Sequence, residues 1–239
     1  MAFDADRRET SPFLRSSAFN RFLRTLRGLH ESRVTSPKGI LPKLRNDVTR
    51  TELLDLFRRS GALLEGHFRL SSGLHSTGYL QCALVLQYPA HAEALGRALA
   101  DRVASLRPTV VLSPALGGLI IGHEVGRALG VRAIFAERQD GVLMLRRGFM
   151  LAEIDRVLVI EDVLTTGGST RETMQVARAA GGLVVGAAAI VDRGGGGARF
   201  DVPFEALLEV DLPTYEADAC PLCARGEQVA KPGSRPVVA

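Results

Sequence analysis

The chain has 239 residues, of which 46% are hydrophobic and 23% are charged, a composition that is ordinary for a folded globular protein. No apolar run approaches the roughly 20 residues that a membrane-spanning helix needs, so we expect no integral membrane protein. The net charge of +4 is unevenly placed, because residues 1–50 hold 11 Lys and Arg against 5 Asp and Glu, while residues 51–239 hold 19 against 21. This distribution argues against a nucleic-acid-binding domain in the part that folds.

The first 47 residues are rich in Arg, Ser and Pro, and they lack sustained apolar periodicity. A basic amphipathic helix over residues 19–29 would suit a targeting peptide or an arm for an anionic partner. Acidic residues at positions 4, 6 and 9 are unusual in a transit peptide, and no secretory signal is recognisable. We therefore expect residues 1–47 to form a basic, disordered extension and the protein to be cytoplasmic.

The organised part of the chain is expected to open with a small hood over residues 48–88. Thr49 and Glu52 have the spacing of a capping box, which predicts the start of a helix. The following stretch, GALLEGHFRLSSGLHSTGYLQC, consists of short apolar pieces separated by Ser-Ser-Gly and Ser-Thr-Gly, and this pattern predicts a β-hairpin.

Strand and helix patterns then alternate over a core of about residues 89–210. Pro89 suits the first turn of a helix, and strands are expected at 109–112, 132–136, 156–161 and 183–191, with helices at about 118–129 and 168–180. This alternation predicts an α/β fold with a doubly wound, mostly parallel sheet. In such sheets ligands bind at the carboxyl ends of the strands.

The stretch VLVIEDVLTTGGST, residues 157–170, places two acids and a run of hydroxyls and glycines at the end of a buried strand. Gly167 and Gly168 allow backbone N–H groups to point inward before a helix, which favours an anion such as a phosphate monoester. Glu161 and Asp162 would repel a phosphate at close range, but they can accept hydrogen bonds from sugar hydroxyls. The pattern therefore indicates a site for a ribose 5-phosphate. It is not a Walker loop, since the Gly-Lys-Ser/Thr element is missing.

This stretch resembles the phosphoribosyl-diphosphate (PRPP) signature of the type I phosphoribosyltransferases. The rest of residues 50–236 resembles the orotate phosphoribosyltransferases within that family, through GHFRLSSGLHS, SPALGGLIIGHEVGRALG, AERQDGVLMLRRGF, VDRGGG and CPLCARGEQVAKPGSR. The resemblance implies transfer of the phosphoribosyl group from PRPP to orotate in pyrimidine biosynthesis. It also implies Mg²⁺ as cofactor, held mainly by PRPP, and a homodimer.

Carried over residue by residue, the resemblance assigns the acid pair to the ribose hydroxyls, the loop after it to the 5-phosphate and a second loop to the pyrophosphate. The residues implied for PRPP are Glu161, Asp162, Val163, Leu164, Thr165, Thr166, Gly167, Gly168, Ser169, Ala115, Leu116, Gly117, Gly118 and Arg138. Those implied for orotate are Thr165, Arg193, Ser71, Ser72, Gly73, Tyr79 and Leu80. Arg193 would pair bidentately with the orotate carboxylate, which suits a guanidinium.

The segment ERQDGVLMLRRGF, residues 137–149, departs from the family pattern. Family members usually present lysines and a histidine in a mobile catalytic loop here, often reaching into the neighbouring subunit, whereas this segment has neither. We hypothesise that Arg138, Arg146 and Arg147 neutralise the departing pyrophosphate instead. Arginine can stabilise charge but is a poor general acid.

Cysteines and histidines give a weaker signal in the sequence. Cys220 and Cys223 form a Cys-x-x-Cys pair in the predicted C-terminal tail, residues 211–239. A structural zinc would need two more ligands and the chain has no second such pair, so we expect reduced thiols. His67, His75, His91 and His123 stand alone in the sequence and are expected to be structural or surface residues.

Two other functions remain open at this point. A phosphoribosyltransferase for a purine or another base would share the PRPP signature. A non-catalytic PRPP-sensing regulator could use the basic first 50 residues to bind nucleic acid, although the slightly acidic folded part argues against this function.

Overall fold

The computed structural model describes residues 48–70 and 72–231, so the predictions for residues 1–47 and for Ser71 lie outside the described part of the chain. The first elements are helix α1 (Arg50–Arg59) and the strands β1 (Leu63–Arg69) and β2 (His75–Leu80). The elements that follow in chain order are α2 (Ala83–Leu86), α3 (Pro89–Val103), β3 (Val110–Pro114), α4 (Gly118–Leu129), β4 (Arg132–Gln139), β5 (Val142–Leu145), β6 (Arg156–Leu164), α5 (Gly168–Ala179), β7 (Leu183–Asp192), β8 (Phe204–Glu209), β9 (Thr214–Tyr215) and α6 (Pro221–Ala224).

The predicted capping box at the start of α1 is present. The Thr49 hydroxyl accepts a hydrogen bond from the Glu52 backbone N–H, and the Glu52 carboxylate accepts one from the Thr49 N–H at 2.8 Å. These two bonds satisfy N–H groups that have no partner inside the helix. The buried face of α1 can then carry Leu53, Leu56 and Phe57 into the core.

The central sheet has six strands in the order β5-β4-β3-β6-β7-β8. Neighbouring strands are parallel except for β5, which pairs antiparallel with β4 as the second arm of a hairpin. The strand order runs outward from β3 in one direction and from β6 in the other, so the predicted doubly wound sheet is confirmed. Strand β8 was not predicted, because its sequence FEALLE does not show a clear two-residue alternation.

Strand β6 shows how the sheet is covered on both faces. Its residues alternate, with Leu158 and Ile160 in the core cluster that contains α1, α3 and α4, and Val157 and Val159 in the cluster that contains α5. All four side chains are fully buried, which explains the unbroken apolar run in this part of the sequence. The longest helix in residues 48–70 and 72–231 has 15 residues, and no helix there combines the length and apolar character that crossing a bilayer requires.

The predicted hood hairpin is formed by β1 and β2, and the C-terminal tail joins it. Strand β9 pairs antiparallel with β2, opposite His75 and Ser76, which makes a three-stranded sheet. Further along the tail, the Ala230 backbone exchanges hydrogen bonds with Arg69 and His67 at 2.8 Å each. The tail therefore packs against the hood hairpin, in a position that periodicity could not indicate because β9 has only two residues.

Candidate functional site

The site lies at the carboxyl ends of three adjacent strands, β3, β6 and β7. Each of these strands is followed by a loop in which glycine is prominent, at residues 115–118, 165–168 and 193–197. Because parallel strands end at the same edge of the sheet, the three loops are neighbours there. The structure thus brings together three loops that start at residues 115, 165 and 193 and are therefore 50 and 28 residues apart along the chain.

The loop after β6 leads into the N-terminus of α5. Gly167 has φ +77°, a left-handed conformation that favours glycine, and a Cβ there would approach the Phe200 ring at 3.0 Å. The first N–H groups of α5 have no partner within the helix and face the same end of the sheet. Thr165, Thr166 and Ser169 are exposed beside them. This loop therefore offers backbone and hydroxyl donors to an anion.

Arg171 stabilises the backbone of this loop. Its guanidinium donates to the Thr166 carbonyl oxygen at 2.8 Å and to the Arg199 carbonyl oxygen at 3.2 Å, and it lies over the Phe200 ring. No sequence motif predicted a role for this residue. Its position three places after Gly168, on the first turn of α5, is the signal that could have indicated it.

The acid pair Glu161 and Asp162 lies near the end of β6, just before this loop. Glu161 is buried, whereas Asp162 is half-buried and accepts a hydrogen bond from the Val163 N–H at 2.8 Å. Burial, together with the neighbouring charge of Asp162, raises the pKa of the Glu161 carboxyl from 4.5 to about 8. Two carboxyl groups held this close are suited to accept hydrogen bonds from adjacent hydroxyls rather than to receive an anion directly.

The loop after β3 lies against this acid pair. A Cβ on Gly117 would be 2.6 Å from the Asp162 Oδ1, and one on Gly118 would be 2.9 Å from the Ile160 carbonyl oxygen. Glycine is therefore required at both positions by the close approach of β6. The Ala115–Leu116 peptide bond is cis, and the Leu116 side chain is 82% exposed. The two glycine loops thus flank the acid pair, one on each side.

An open cavity of about 570 Å³ lies between the hood and the strand ends. Its lining includes four of the residues assigned to orotate, namely Ser72, Tyr79, Thr165 and Arg193. The remaining lining residues are Leu70, Leu74, Thr166, Gly194, Asp211, Leu212, Pro213 and Thr214. Since Thr165 and Thr166 belong both to this lining and to the anion loop, the cavity is continuous with the anion site.

Arg193 is the main positive charge of the cavity wall. It is half-buried, which lowers the pKa of its guanidinium, and its Nη2 donates to the Ser76 hydroxyl at 3.2 Å. Within residues 48–70 and 72–231 it forms no ion pair with a carboxylate. A half-buried cation whose charge is not balanced by a neighbouring acid favours an anionic ligand.

Two residues predicted for orotate do not line the cavity. Leu80 belongs to the hydrophobic core, because it follows Tyr79 on β2 and successive strand residues point to opposite faces of the sheet. We therefore remove Leu80 from the proposed contacts. Gly73 lies in the hairpin turn with φ +92°, between the lining residues Ser72 and Leu74. The predicted role of Ser71 lies outside the described residues.

The tail contributes four lining residues, 211–214, that the sequence reasoning did not assign to the site. Asp211, Leu212 and Pro213 precede β9 and Thr214 begins it, so the pairing of β9 with His75 and Ser76 on β2 holds them beside the hood hairpin. No local motif marks them, because their position depends on a strand pair that joins residues more than 130 positions apart.

Of the three arginines in residues 137–149, Arg138 lies on β4, whereas Arg146 and Arg147 directly follow β5 at the end of the β4–β5 hairpin. Arg138 pairs with Glu172 on α5, while Arg146 and Arg147 both pair with Glu137. The hydrogen bond from Arg147 holds the pKa of Glu137 below its ordinary value. Each guanidinium is at least 44% exposed, so these pairs are weak and can exchange for a more highly charged anion.

The acid pair is not a preformed metal site. Among the residues that the structure describes, three or more potential metal-ligating side chains meet at His67, His75, Cys220 and Cys223, far from the acid pair in the sequence. Two carboxylates are too few to enclose Mg²⁺, which prefers to keep waters and to bind substrate phosphates. Glu161 and Asp162 thus fit a Mg²⁺ ion only as minor partners to a ligand that brings its own oxygens.

Comparison with known proteins identifies the family. The chain is 52% identical over 190 residues to the orotate phosphoribosyltransferase of Pelotomaculum thermopropionicum, covering 80% of this chain and 100% of that protein. It is likewise 52% identical over 193 residues to the orotate phosphoribosyltransferase of Heliobacterium modesticaldum, covering 79% and 100%. No protein-family model matches the chain.

Solved structures agree with the sequence relatives. The orotate phosphoribosyltransferase of Mycobacterium tuberculosis in complex with inorganic phosphate matches with a TM-score of 0.56 at 26% identity, over 67% of this chain and 95% of that one. The enzyme of the same name from Aeropyrum pernix has a TM-score of 0.56 at 24% identity, over 66% and 93%, and supports the fold. Because its sequence relatives are half identical to it and align over their full length, this chain belongs to the orotate phosphoribosyltransferase family.

Proposed function

We propose that the chain transfers the 5-phosphoribosyl group from PRPP to orotate, giving orotidine 5′-monophosphate and pyrophosphate. The observation that carries this proposal is the continuity of the Arg193 cavity with the anion loop at Thr165 and Thr166. A planar anionic base in the cavity and a phosphorylated sugar on the loop would meet at this junction.

PRPP would lie across the strand ends with its three parts on three neighbouring features. The 5-phosphate would accept hydrogen bonds from the loop of Thr165 to Ser169 and from the N-terminus of α5. The ribose hydroxyls would donate to Glu161 and Asp162. The pyrophosphate would lie at the second glycine loop, residues 115–118. Gly117 of this loop packs against Asp162, so the loop lies next to the place proposed for the ribose.

Orotate would occupy the cavity with its carboxylate on Arg193. Its ring would lie near Tyr79, and its other polar atoms would face Ser72 and Thr165. Because the cavity is about 570 Å³, it can hold a pyrimidine with room for the sugar beyond it. The site contains no covalent nucleophile in this proposal, so the protein contributes positioning and electrostatic stabilisation.

Mg²⁺ would be held mainly by PRPP oxygens, with Glu161 and Asp162 beside them. When bound, it supplies positive charge to the pyrophosphate as that group leaves. This chain's own residues hold the ribose, orient the base and keep the leaving group on a loop of backbone N–H donors.

We also propose that the chain works as a homodimer, which sedimentation equilibrium of the full chain can test.

The exposed arginines of the β4–β5 hairpin are proposed to stabilise the departing pyrophosphate. Replacing Arg146 and Arg147 together with alanine should lower kcat by about 10- to 100-fold, because the positive charge that stabilises the anionic leaving group is lost. The KM for orotate should change little. Steady-state kinetics with both substrates varied would measure the two effects, and a kcat equal to that of the parent chain would remove these arginines from the mechanism.

The matched control is a double variant on another surface. Arg97→Ala with Arg127→Ala also removes two exposed arginines that pair with glutamates, but these lie on α3 and α4. We expect its kcat to match that of the parent chain. A similar loss in both double variants would point to an effect of overall charge.

The activity itself is tested by pyrophosphate release from PRPP with each candidate base in turn. We expect release with orotate and little with adenine, guanine, hypoxanthine or uracil. Release with a purine alone would favour a different phosphoribosyltransferase. No release with any base, together with a salt-dependent shift of a nucleic-acid probe, would favour the regulator instead.

A further inference from the structure

Four side chains from opposite ends of the folded chain meet at the outer side of the hood. His67 on β1 and His75 on β2 face Cys220 and Cys223 of the tail, and their ligand atoms all lie within 4.8 Å of one another. We refer to these four residues as the tail–hood cluster. It corrects two expectations from the sequence, because these histidines are not isolated and the Cys-x-x-Cys pair does have two further potential ligands.

The distances inside the cluster match a tetrahedral ion. Zinc with bonds of about 2.3 Å to sulfur and about 2.05 Å to nitrogen places N and S ligand atoms about 3.6 Å apart, and two nitrogens about 3.3 Å apart. The His67 Nε2 lies 3.6 Å from the Cys220 Sγ and 3.7 Å from the Cys223 Sγ, and the His75 Nδ1 lies 3.2 Å from the Cys223 Sγ. The two ring nitrogens are 2.9 Å apart. The two distances that fall below the tetrahedral values both involve His75, so a small outward shift of that ring would admit an ion between the four ligand atoms.

The hydrogen bond on the far side of the His67 ring fixes its tautomer for metal binding. Its Nδ1 lies 2.8 Å from the Glu227 carbonyl oxygen, which can only accept a hydrogen bond. Nδ1 therefore carries the proton, and the Nε2 lone pair faces the cluster. Metal-ligating histidines are typically oriented by such a carbonyl. The sequence offered no way to see this partner, because it is a backbone atom of the tail.

The backbone around the cysteines is organised as a compact turn. The Ala224 N–H donates to the Cys220 carbonyl at 3.1 Å, the Gly226 N–H donates to the Cys223 carbonyl at 2.9 Å, and Gly226 has φ +71°. This turn presents both sulfurs to one side. His67, His75 and Cys220 are almost fully buried and Cys223 is exposed, so three of the four potential ligands lie away from water.

We propose that the tail–hood cluster binds one Zn²⁺ ion through His67 Nε2, His75 Nδ1, Cys220 Sγ and Cys223 Sγ. Two thiolates and two imidazoles in tetrahedral arrangement are the ligand set of structural zinc. Since four protein ligands leave no open position, the ion acts as a cross-link and takes no part in catalysis. It joins the tail to the hood across 148 positions of sequence between His75 and Cys223.

The cross-link also borders the proposed orotate cavity. His75 directly precedes Ser76, whose hydroxyl contacts Arg193 and donates to the Pro213 carbonyl at 3.1 Å. Pro213 and Thr214 line that cavity. The zinc site would therefore hold the tail strand in register where it forms one wall of the cavity.

The decisive measurement is the metal content of the full chain, purified without chelators and analysed by inductively coupled plasma mass spectrometry. We expect about one zinc ion per chain. Cys223→Ser and His75→Gln should each weaken zinc binding by more than about 100-fold, since each removes a ligand. Cobalt substitution should give the visible bands of tetrahedral Co²⁺ with thiolate charge transfer, and these bands should be lost in both variants.

Two variants outside the cluster serve as controls. Cys82→Ser removes the third cysteine and His123→Ala removes an exposed histidine, and both should retain zinc at the parent level. Stripping the metal from the parent chain should lower its melting temperature by about 5 °C or more, and added zinc should restore it. The same treatment of Cys223→Ser should have no effect.

The proposal would be overturned if the parent chain, purified under reducing conditions, held no zinc and failed to take it up from solution. A Cys220–Cys223 disulfide, seen as a loss of two titratable thiols in the chain unfolded with a chelator present, would overturn it as well. These outcomes are independent of the transferase assay, because they measure metal and thiols rather than turnover.

Discussion

Replacing Arg193 with alanine is expected to lower kcat/KM for orotate by roughly 100-fold or more, corresponding to about 3 kcal/mol. The guanidinium is half-buried and, within the described ranges, has no acidic partner that would compensate for its burial. Without it, the orotate carboxylate would enter the cavity and lose its hydration with no cation to replace it. Initial rates over a range of orotate concentrations measure the loss.

A base that lacks the carboxylate separates a binding role from a structural one. Uracil differs from orotate in that group alone, so the Arg193→Ala variant should lose most of the parent's preference for orotate over uracil. Arg193→Lys should recover part of the rate, since it keeps the charge but not the bidentate fork. An equal fall in rate with both bases would contradict the proposed contact, because it would indicate a damaged cavity wall.

A surface arginine provides the control for this experiment. Arg178 is exposed on α5 and pairs with Asp201, away from the cavity lining. Arg178→Ala should leave kcat/KM for orotate at the parent level. The KM for PRPP should also stay close to the parent value in Arg193→Ala, because no part of PRPP is proposed to contact that side chain.

The central sheet could be predicted from the sequence because its signals are local. The strand predicted at 156–161 extends in the structure to Leu164, since pairing with β7 continues through Val163 and Val191 beyond the acid pair. A strand predicted from a run of apolar residues ends at the first charged residue. Such a prediction therefore leaves out Glu161 and Asp162, although both belong to the paired strand β6.

The cavity wall and the tail–hood cluster could not be predicted in the same way. Both depend on β9, whose two residues pair with β2 although more than 130 positions separate them. Metal sites are recognised in a sequence by potential ligands that lie only a few residues apart. Here only Cys220 and Cys223 have such a spacing, and the remaining ligands come from a hairpin at the other end of the folded region.

Glu161→Gln is expected to stabilise the free protein at alkaline pH. The pKa of this carboxyl is raised by folding from 4.5 to about 8, so the folded state holds an extra proton between these values. The free energy of unfolding should therefore fall as the pH rises through this window, by at most about 5 kcal/mol. Glutamine resembles the protonated acid and does not ionise, so the variant should lose this decrease. Urea unfolding at pH 5, 7 and 9 would measure both slopes.

The same substitution should weaken the use of PRPP, because stability and function make opposite demands on this buried acid. At pH 9, above the pKa of about 8, Glu161 is ionised. A neutral amide accepts a weaker hydrogen bond from a ribose hydroxyl than that carboxylate does, so we expect kcat/KM for PRPP at this pH to fall by about 10- to 100-fold. Glu205→Gln, at an exposed position on β8, should change neither the pH slope nor the kinetics. If Glu161→Gln kept the parent's decrease in stability between pH 5 and 9, burial of this carboxyl would not be its cause. The acid pair would then be more open to water than the structure indicates, and its preference for sugar hydroxyls would need another origin.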